Sequence, residues 1–427
     1  MAKERKISST QPAKLSKCLS RHGLPAKAQG YNYYLRIIGF VGLLFVNQPL
    51  FALSEPLSPA GQVKFFNMAN TEFDRFTAHP NVARQDWMRR HYARMLVYAP
   101  YFDTRLDWYA DGLVYVDSYA IYEHSVLAKE HPEWIMRDGK GRKLYIPWNC
   151  QRGRCDQFAG DFSNPAFKDY MIDKMRDILA KGYKGLWLDD VNLTWRVSNG
   201  KGQFVTPIDQ NTGNAMTLAD WQRYFADYME AIRQAFPNIE IAHNAIWHAD
   251  TTAIENPAIT RQIKAADYIN LERGGSDLGL ISGDGPFGFQ TFLRYIDYVH
   301  NLGSNVILMD YGITTQQRHY GLATWFLVSQ GHDLMSSNKL VWSAPTSWWP
   351  GYSLHLGEAI GPRYQWHGLL RRDFSCGMVL LNQSKTPVRN IQLDEAFILS
   401  DGKSVSKVKL GKKSALILQK TCLQHSN

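Results

Sequence analysis

Short apolar segments alternate with longer segments of helical periodicity along this sequence, from about residue 61 onward. Such alternation is typical of βα units arranged around a parallel sheet. Eight candidate strands can be counted: Lys64–Ala69, Arg94–Ala99, Gly112–Val116, Gly185–Leu188, Ile239–Ala242, Tyr268–Leu271, Asn305–Met309 and Asp333–Ser336. Several are apolar on both faces, as expected of strands packed between a lumen and a helix layer. The sequence therefore predicts an α/β fold, a (β/α)8 TIM barrel.

Two helix starts and two long connections are recognisable between these strands. Asn164 before Pro165 predicts a capped helix over Phe167–Ala180, and the segment Thr217–Asp220 resembles a capping box. Segments near 123–162 and 193–216 are too long and polar for ordinary connections. Long loops of this kind usually build the functional site of a barrel.

The pattern changes after Pro350, and it predicts a small C-terminal antiparallel β domain. From Phe374 onward the chain shows short strand-like segments separated by turns: Gly377–Asn382, Val388–Leu393, Val405–Leu410 and Ser414–Gln419. We therefore divide the 427 residues into an N-terminal leader (1–54), a barrel (55–350) and a β domain (351–427).

The net charge of +9 is concentrated in the leader, where eight basic residues and one acidic residue precede Glu55. The remainder of the chain is nearly neutral, so we expect no nucleic-acid partner. The basic leader, the apolar segment Ile37–Val46 and the small-residue pattern Ala52-Leu53-Ser54 predict a secretory signal. Because that apolar segment is shorter than the ~20 residues of a spanning helix, membrane attachment is expected only if the leader stays uncleaved. We expect a periplasmic or extracellular protein.

Four cysteines follow Ser54, and two of them lie close together. Cys150 and Cys155 are predicted to form a short disulfide loop in an oxidising compartment. A zinc site would need further close Cys or His pairs, and neither Cys376 nor Cys422 supplies one. No metal and no cofactor are therefore predicted.

Acidic residues follow several predicted strands directly. The strand ends of a parallel barrel all open onto one face, so these side chains are expected to share a pocket. The candidates are Asp103, Asp117, Asp189, Asp190, Glu272 and Asp310, with Asn244, Trp247 and Arg273 close by. Any one of them could instead cap a helix or hold a loop.

Hydrolysis of a glycosidic bond requires two carboxyl groups, one to protonate the leaving oxygen and one to attack or to activate water. We assign these roles to Asp189 and Glu272. Neighbouring side chains of a strand alternate in direction, so Asp190 should orient loops or bind sugar hydroxyls. The predicted substrate-binding residues are Asp190, Asp310, Asp117, Tyr119, Asn244, Trp247 and Arg273. Tyr119, Tyr122 and Trp247 could equally be core or rim aromatics.

Several segments carry a family resemblance: His131–Trp134, Asp138-Gly139, Asp161–Phe167, Gly182–Val191 and the tail segments Arg372–Phe374 and Gly377–Asn382. In these the chain resembles the bacterial glycoside hydrolases grouped as hypothetical glycosyl hydrolase family fifteen, over about residues 60 to 420. More distantly it looks like α-1,4-polygalactosaminidase barrels and α-amylase-like enzymes. The resemblance implies that Asp189 corresponds to the amylase nucleophile and Asp310 to the acid of the seventh strand.

One departure separates the chain from the amylase-type enzymes. Those enzymes carry the acid/base glutamate after the fifth strand, whereas here His243-Asn244 stands there and Glu272 follows the sixth. The sequence-based hypothesis is a glycoside hydrolase acting on a polysaccharide. Its alternatives are a transglycosylase and a non-catalytic protein of glycan binding or exopolysaccharide biosynthesis. A metal-dependent deacetylase is disfavoured, since the strand ends lack clustered His and Asp ligands.

Overall fold

Among the residues that the structure describes, eight strands pair in parallel and close into a barrel. The structure is a computed structural model that describes residues 60–68, 75–245, 252–277, 279–337, 343–383 and 385–421. In chain order the strands up to the end of the barrel are β1 (Phe65–Met68), β2 (Tyr92–Val97), β3 (Gly112–Asp117), β4 (Ala120–Tyr122), β5 (Gln157–Ala159), β6 (Gly185–Asp189), β7 (Glu240–Asn244), β8 (Tyr268–Leu271), β9 (Asn305–Asp310) and β10 (Leu334–Ser337). β4 and β5 form a separate hairpin, and the other eight run β1-β10-β9-β8-β7-β6-β3-β2 around the barrel. The predicted barrel and all eight of its strands are confirmed.

Helices cover the outside of this barrel. The described helices are α1 (Val82–His91), α2 (Val126–Glu130), α3 (Pro165–Leu179), α4 (Leu218–Ala235), α5 (Pro257–Lys264), α6 (Phe289–Asn301) and α7 (Thr315–Val328). Both predicted helix starts are confirmed. The Asn164 side chain accepts from the Ala166 backbone N–H, and Thr217 and Asp220 form a reciprocal capping box. These bonds satisfy backbone donors that the first turn leaves without a partner.

Every barrel strand contributes one side chain to a hydrophobic cluster in the lumen. Its members are Phe66, Leu96, Leu113, Trp187, Ala242, Tyr268, Ile307 and Leu334. Because side chains alternate along a strand, residues two positions further on face the same lumen nearer the carboxyl ends of the strands. We call this end the barrel mouth. Asp117, Asp189 and Asn244 therefore point into the mouth. The residues that alternate with them along each strand point at the helices.

An ion pair closes the opposite end of the lumen. Arg94 lies two residues before Leu96, and Glu240 lies two residues before Ala242, so both face inward. Arg94 donates from Nε and Nη2 to the two carboxylate oxygens of Glu240, at 2.7 Å each. The lumen is thus filled by a hydrogen-bonded ion pair at this end and by apolar side chains nearer the mouth.

The two long connections contact each other near the mouth. Tyr145 and Ser198, one from each connection, exchange backbone hydrogen bonds of 2.9 and 2.8 Å. Cys150 and Cys155 form the predicted disulfide within the first connection. The first connection follows β3 and β4, and the second follows β6; because β3 and β6 are neighbours that both end in an aspartate, the two connections cover the same part of the mouth.

A six-stranded antiparallel sheet follows the barrel. Its strands are β11 (Tyr364–Trp366), β12 (Leu369–Phe374), β13 (Gly377–Asn382), β14 (Val388–Ile398), β15 (Ser404–Leu410) and β16 (Ser414–Gln419). The predicted small β domain is present, although its first strand begins at Tyr364 rather than after Phe374. Arg372 joins the sheet to the barrel by donating to the carbonyl oxygens of Phe326 and Ser329, both at 2.8 Å.

The predicted leader, residues 1–54, lies outside the described residues. Within the part of the chain that is described, no helix combines the length and apolar character that crossing a membrane requires.

Candidate active site

Asp189, the last residue of β6, is held by three donors at the barrel mouth. Its Oδ1 accepts from Asn244 Nδ2 and from the backbone N–H of Asp190, both at 2.8 Å. Its Oδ2 lies 2.7 Å from the hydroxyl oxygen of Tyr115. These contacts from three segments set the direction of the carboxylate.

Strand register explains why these residues meet. Asp117 pairs with Asp189 across β3 and β6, and the register of β6 with β7 places Asn244 on the other side of Asp189. Asn244 in turn pairs with Asn270 of β8. Asn270 Nδ2 donates to Asn244 Oδ1 at 2.8 Å. That bond turns the Asn244 amide so that its NH2 group faces Asp189.

Tyr115 lies between two carboxyl groups. Its hydroxyl oxygen is 2.6 Å from Asp117 Oδ1, in addition to the 2.7 Å contact with Asp189. The second oxygen of Asp117 accepts from the Tyr122 hydroxyl at 2.8 Å. Burial raises the pKa of Asp117, and the charge of Asp189 raises it further, although the tyrosine donors oppose both effects.

Glu272 directly follows β8, and its hydrogen bond with Asn244 and its electrostatic interaction with Asp189 place its carboxyl at the same mouth. Burial raises the pKa of the Glu272 carboxyl, and the negative charge of Asp189 raises it further. Arg196 and a hydrogen bond from Asn244 act in the opposite direction. Asn244 thus lies beside both carboxyl groups, and Glu272 is within electrostatic range of Asp189.

At Asp190 the backbone departs from the extended conformation of the strand, because the φ of this residue is 57°, in the left-handed region. Its Oδ1 accepts from Asn192 Nδ2 at 3.3 Å and lies 3.6 Å from Arg196 Nη1. Burial and the charge of Asp189 raise the pKa of Asp190 to about 7. The acid next to Asp189 therefore contacts the second long connection, which begins at residue 193.

Asp189 and Glu272 thus share the mouth but lie in different environments. Asp189 is surrounded by hydrogen-bond donors, whereas burial and a neighbouring anion favour the protonated form of Glu272. Two carboxyl groups in such different surroundings are what general acid catalysis combined with a nucleophile or a base requires.

A family model matches residues 92–378, described as hypothetical glycosyl hydrolase family 15. The chain belongs to this family. The match includes β3, β6 and β8, and with them Asp117, Asp189 and Glu272. A search of the curated proteins found no match.

Solved structures similar to this family member include glycoside hydrolases at low identity. The glycoside hydrolase domain of PelA from Pseudomonas aeruginosa is 12% identical, with a TM-score of 0.40, 65% of this chain covered and 94% of that one. An α-amylase from Lactobacillus plantarum is 11% identical, with a TM-score of 0.47 and coverage of 84% and 99%. The maltogenic α-amylase AmyB from Thermotoga neapolitana is 13% identical, with a TM-score of 0.46 and coverage of 83% and 98%.

Asp310 of this family 15 member lies away from the group around Asp189. Asp310 lies two residues after Leu308 on β9, so its side chain faces the helices as that of Leu308 does. There it packs against Gly321 of α7. A Cβ at Gly321 would lie 2.5 Å from Asp310 Oδ1, so the glycine permits this approach. Oδ1 also accepts from the Gly312 N–H at 2.8 Å and from the Ser276 hydroxyl. Burial raises the pKa of Asp310 to about 6.

Two more predicted residues have other surroundings, and a third cannot be placed. Tyr119 is fully buried among Phe162, Trp221 and Phe225 in the helix layer. The Arg273 guanidinium forms an ion pair with the Asp277 carboxylate. Trp247 lies outside the described residues.

Asp103 does not reach the mouth either. It accepts from Lys181 Nζ and from the Tyr183 hydroxyl, both at 2.6 Å, and these residues precede the start of β6. Asp103 therefore lies at the opposite end of the barrel from Asp189.

Tyr115, Asn270 and Arg196 belong to the group at the mouth, and the sequence analysis missed all three. Tyr115 and Asn270 each stand two residues before a strand-end acid, so the period of two along a strand could have identified them. Arg196 lies in a loop, where no periodicity marks it.

The histidine at the end of β7, His243, lies away from the mouth. His243 is fully buried, faces the helices, and burial lowers its pKa to about 3. Across the described ranges there is no cluster of three or more His, Cys, Asp or Glu residues suited to a metal ion.

Proposed function

We propose that this protein hydrolyses O-glycosidic bonds of a polysaccharide, with Glu272 as general acid and Asp189 as nucleophile or general base. One observation carries the proposal. Glu272, whose pKa is raised by burial and by Asp189, shares the barrel mouth with an Asp189 carboxylate held by three donors. Membership of a glycosyl hydrolase family supports the reaction class.

The proposed reaction assigns each carboxyl group one task. Glu272 donates its proton to the glycosidic oxygen as the bond to the anomeric carbon breaks, and Asp189 attacks that carbon or removes a proton from the attacking water. Asn244 and Tyr115 keep the Asp189 oxygens in place while positive charge develops on the sugar. No step in this scheme requires a cofactor.

Neighbouring polar groups would bind sugar hydroxyls. Asp190 and Arg196 line the second long connection, and the partly exposed Tyr122 lies at the first. A polysaccharide of the cell surface or an exopolysaccharide fits a protein whose leader predicts export. That substrate class therefore depends on the predicted leader.

A glycan panel digested with the purified mature protein tests the proposal. We expect release of oligosaccharides by the wild type, and losses of about 10²- to 10⁴-fold in kcat for Asp189→Asn and Glu272→Gln. Asp103→Asn is the matched control, because it alters an aspartate at the other end of the barrel. Proton NMR of the first product anomer distinguishes nucleophile from base. Substantial cleavage by either mouth variant, or binding without turnover by the wild type, contradicts the proposal.

We also propose that the protein is exported. The support is the basic leader with its apolar segment and small-residue pattern. Fractionation of the native host and N-terminal sequencing of the mature protein should locate it outside the cytoplasm with a new N-terminus near Glu55. A cytoplasmic protein that keeps Met1 contradicts this.

A further inference from the structure

The Tyr115 hydroxyl makes two short contacts with carboxyl oxygens but has one hydrogen to donate. Its oxygen lies 2.6 Å from Asp117 Oδ1 and 2.7 Å from Asp189 Oδ2. Both distances are those of strong O–H···O hydrogen bonds, each of which needs a hydrogen near the line between the oxygens. Burial and the two nearby aspartates raise the pKa of Tyr115, so the phenol keeps its proton. A second proton must therefore come from one of the two carboxyl groups.

The hydrogen bonds around each aspartate show which one carries that proton. Asp189 accepts from Asn244 and from the Asp190 N–H, whereas the hydrogen bonds of Asp117 within the described residues are those with Tyr122 and Tyr115. Each additional donor favours the charged form of a carboxyl group. Tyr122 also occupies Asp117 Oδ2, which leaves Oδ1 as the oxygen that faces the phenol.

We propose that Asp117 is protonated on Oδ1 and donates to the Tyr115 hydroxyl oxygen, which donates its own hydrogen to Asp189 Oδ2. Asp117 is then a positioning residue that holds Asp189 through Tyr115, instead of the sugar ligand that the sequence suggested. Its effect on turnover rests on the proposed function, but the position of the proton does not.

The charged and titratable groups around Asp117 act in both directions. The negative charges of Asp189 of β6 and of the more distant Asp190 favour the protonated carboxyl, whereas the hydrogen bonds of Tyr115 and Tyr122 and the charge of Lys174 of α3 favour the charged form. Burial is the largest influence and favours the uncharged carboxyl. A second carboxylate on the same phenol would also repel Asp189 at close range.

Infrared difference spectroscopy can detect the proton without any substrate. At neutral pH, the wild-type spectrum minus that of Asp117→Asn should contain the C=O stretch of a carboxylic acid, lost in the variant. Asp103→Asn is the matched control, since Asp103 also accepts from a tyrosine but pairs with the Lys181 ammonium. Its difference spectrum should contain carboxylate bands instead. Carboxylate bands in the Asp117→Asn difference would overturn the proposal.

Turnover provides a second measurement once a substrate is known. Tyr115→Phe should lower kcat by about 10- to 100-fold with little change in KM, since Asp189 loses a donor to a charged group. Asp117→Ala should lower kcat in the same direction, because the Tyr115 hydroxyl loses the donor that holds it toward Asp189. Asp117→Asn should recover most of the Asp117→Ala loss, because an amide N–H can replace the carboxylic O–H. A KM effect without a kcat effect would identify Asp117 as a sugar ligand and refute the proposal. If no glycan is cleaved at all, the infrared result still decides where the proton lies.

Discussion

Asn270 illustrates how a single residue acts on the site through a neighbour. Its amide donates to Asn244 Oδ1, and Asn244 in turn donates to Asp189. Asn270→Ala removes the bond that orients the Asn244 amide, so we expect kcat to fall about 5- to 10-fold at unchanged KM. Steady-state kinetics on the cleaved glycan measures this.

The control for Asn270 is a double-mutant cycle with Asn244→Ala. If the effect passes through Asn244, the double variant should be little slower than Asn244→Ala alone. Additive losses would show that Asn270 acts by another route.

Glu272 is expected to set the alkaline side of the pH profile. Its raised pKa keeps the carboxyl protonated above the usual range of glutamate, and activity should fall as pH rises through that pKa. Measurements of kcat/KM against pH should show this decline in the wild type and not in Glu272→Gln, whose residual activity no longer depends on that proton. An unchanged alkaline decline in the variant would assign the proton to another group.

At the scale of elements, the ion pair of Arg94 and Glu240 joins β2 to β7 at the end of the lumen opposite the mouth. Arg94→Met leaves Glu240 largely buried, with Lys184 Nζ at 3.8 Å as an ion-pair partner. Breaking a buried pair on one side costs about 3–5 kcal/mol, so we expect the free energy of unfolding to fall by about 3 kcal/mol. Chemical denaturation followed by tryptophan fluorescence measures the loss.

The comparison for Arg94 is the exposed pair of Arg294 and Asp284, with side chains 54% and 66% exposed. Arg294→Met should cost about 1 kcal/mol or less, because solvent screens exposed charges. Equal losses in the free energy of unfolding for the two variants would mean that the surroundings of Arg94 and Glu240 are better hydrated than their packing indicates.

At the scale of the whole molecule, Arg372 connects the C-terminal sheet to the barrel. This residue is 7% exposed, and its side chain donates to the carbonyl oxygens of Phe326 and Ser329 at the end of α7. Arg372→Ala leaves two buried carbonyl oxygens without this donor, which costs about 1–3 kcal/mol each. We expect a lower Tm with a single cooperative transition for barrel and sheet, measured by calorimetry. Two separate transitions in the wild type would show that the sheet is independent.

The positions of Asp117, Asp189 and Asn244 could be predicted from sequence because they depend on local pattern. A strand-end residue in a parallel barrel points to one face, whatever the helices around it do. The same argument failed for Asp310 because it ignored parity, and Asp310 has the parity of the helix-facing Leu308. Tyr119 likewise lies beyond the end of β3, where strand alternation no longer determines direction.

The order of strands, the helix caps, the Cys150–Cys155 disulfide and the β strands near the C-terminus follow from the sequence by itself, since each depends on residues close together in the chain. Only the tertiary structure decided that Tyr115 would lie between Asp117 and Asp189, that Asn270 would orient Asn244, and that Arg196 would approach Asp190. Those contacts depend on the register between neighbouring strands and on the path of a long loop. Both are set by packing across the whole barrel, which periodicity within one segment does not contain.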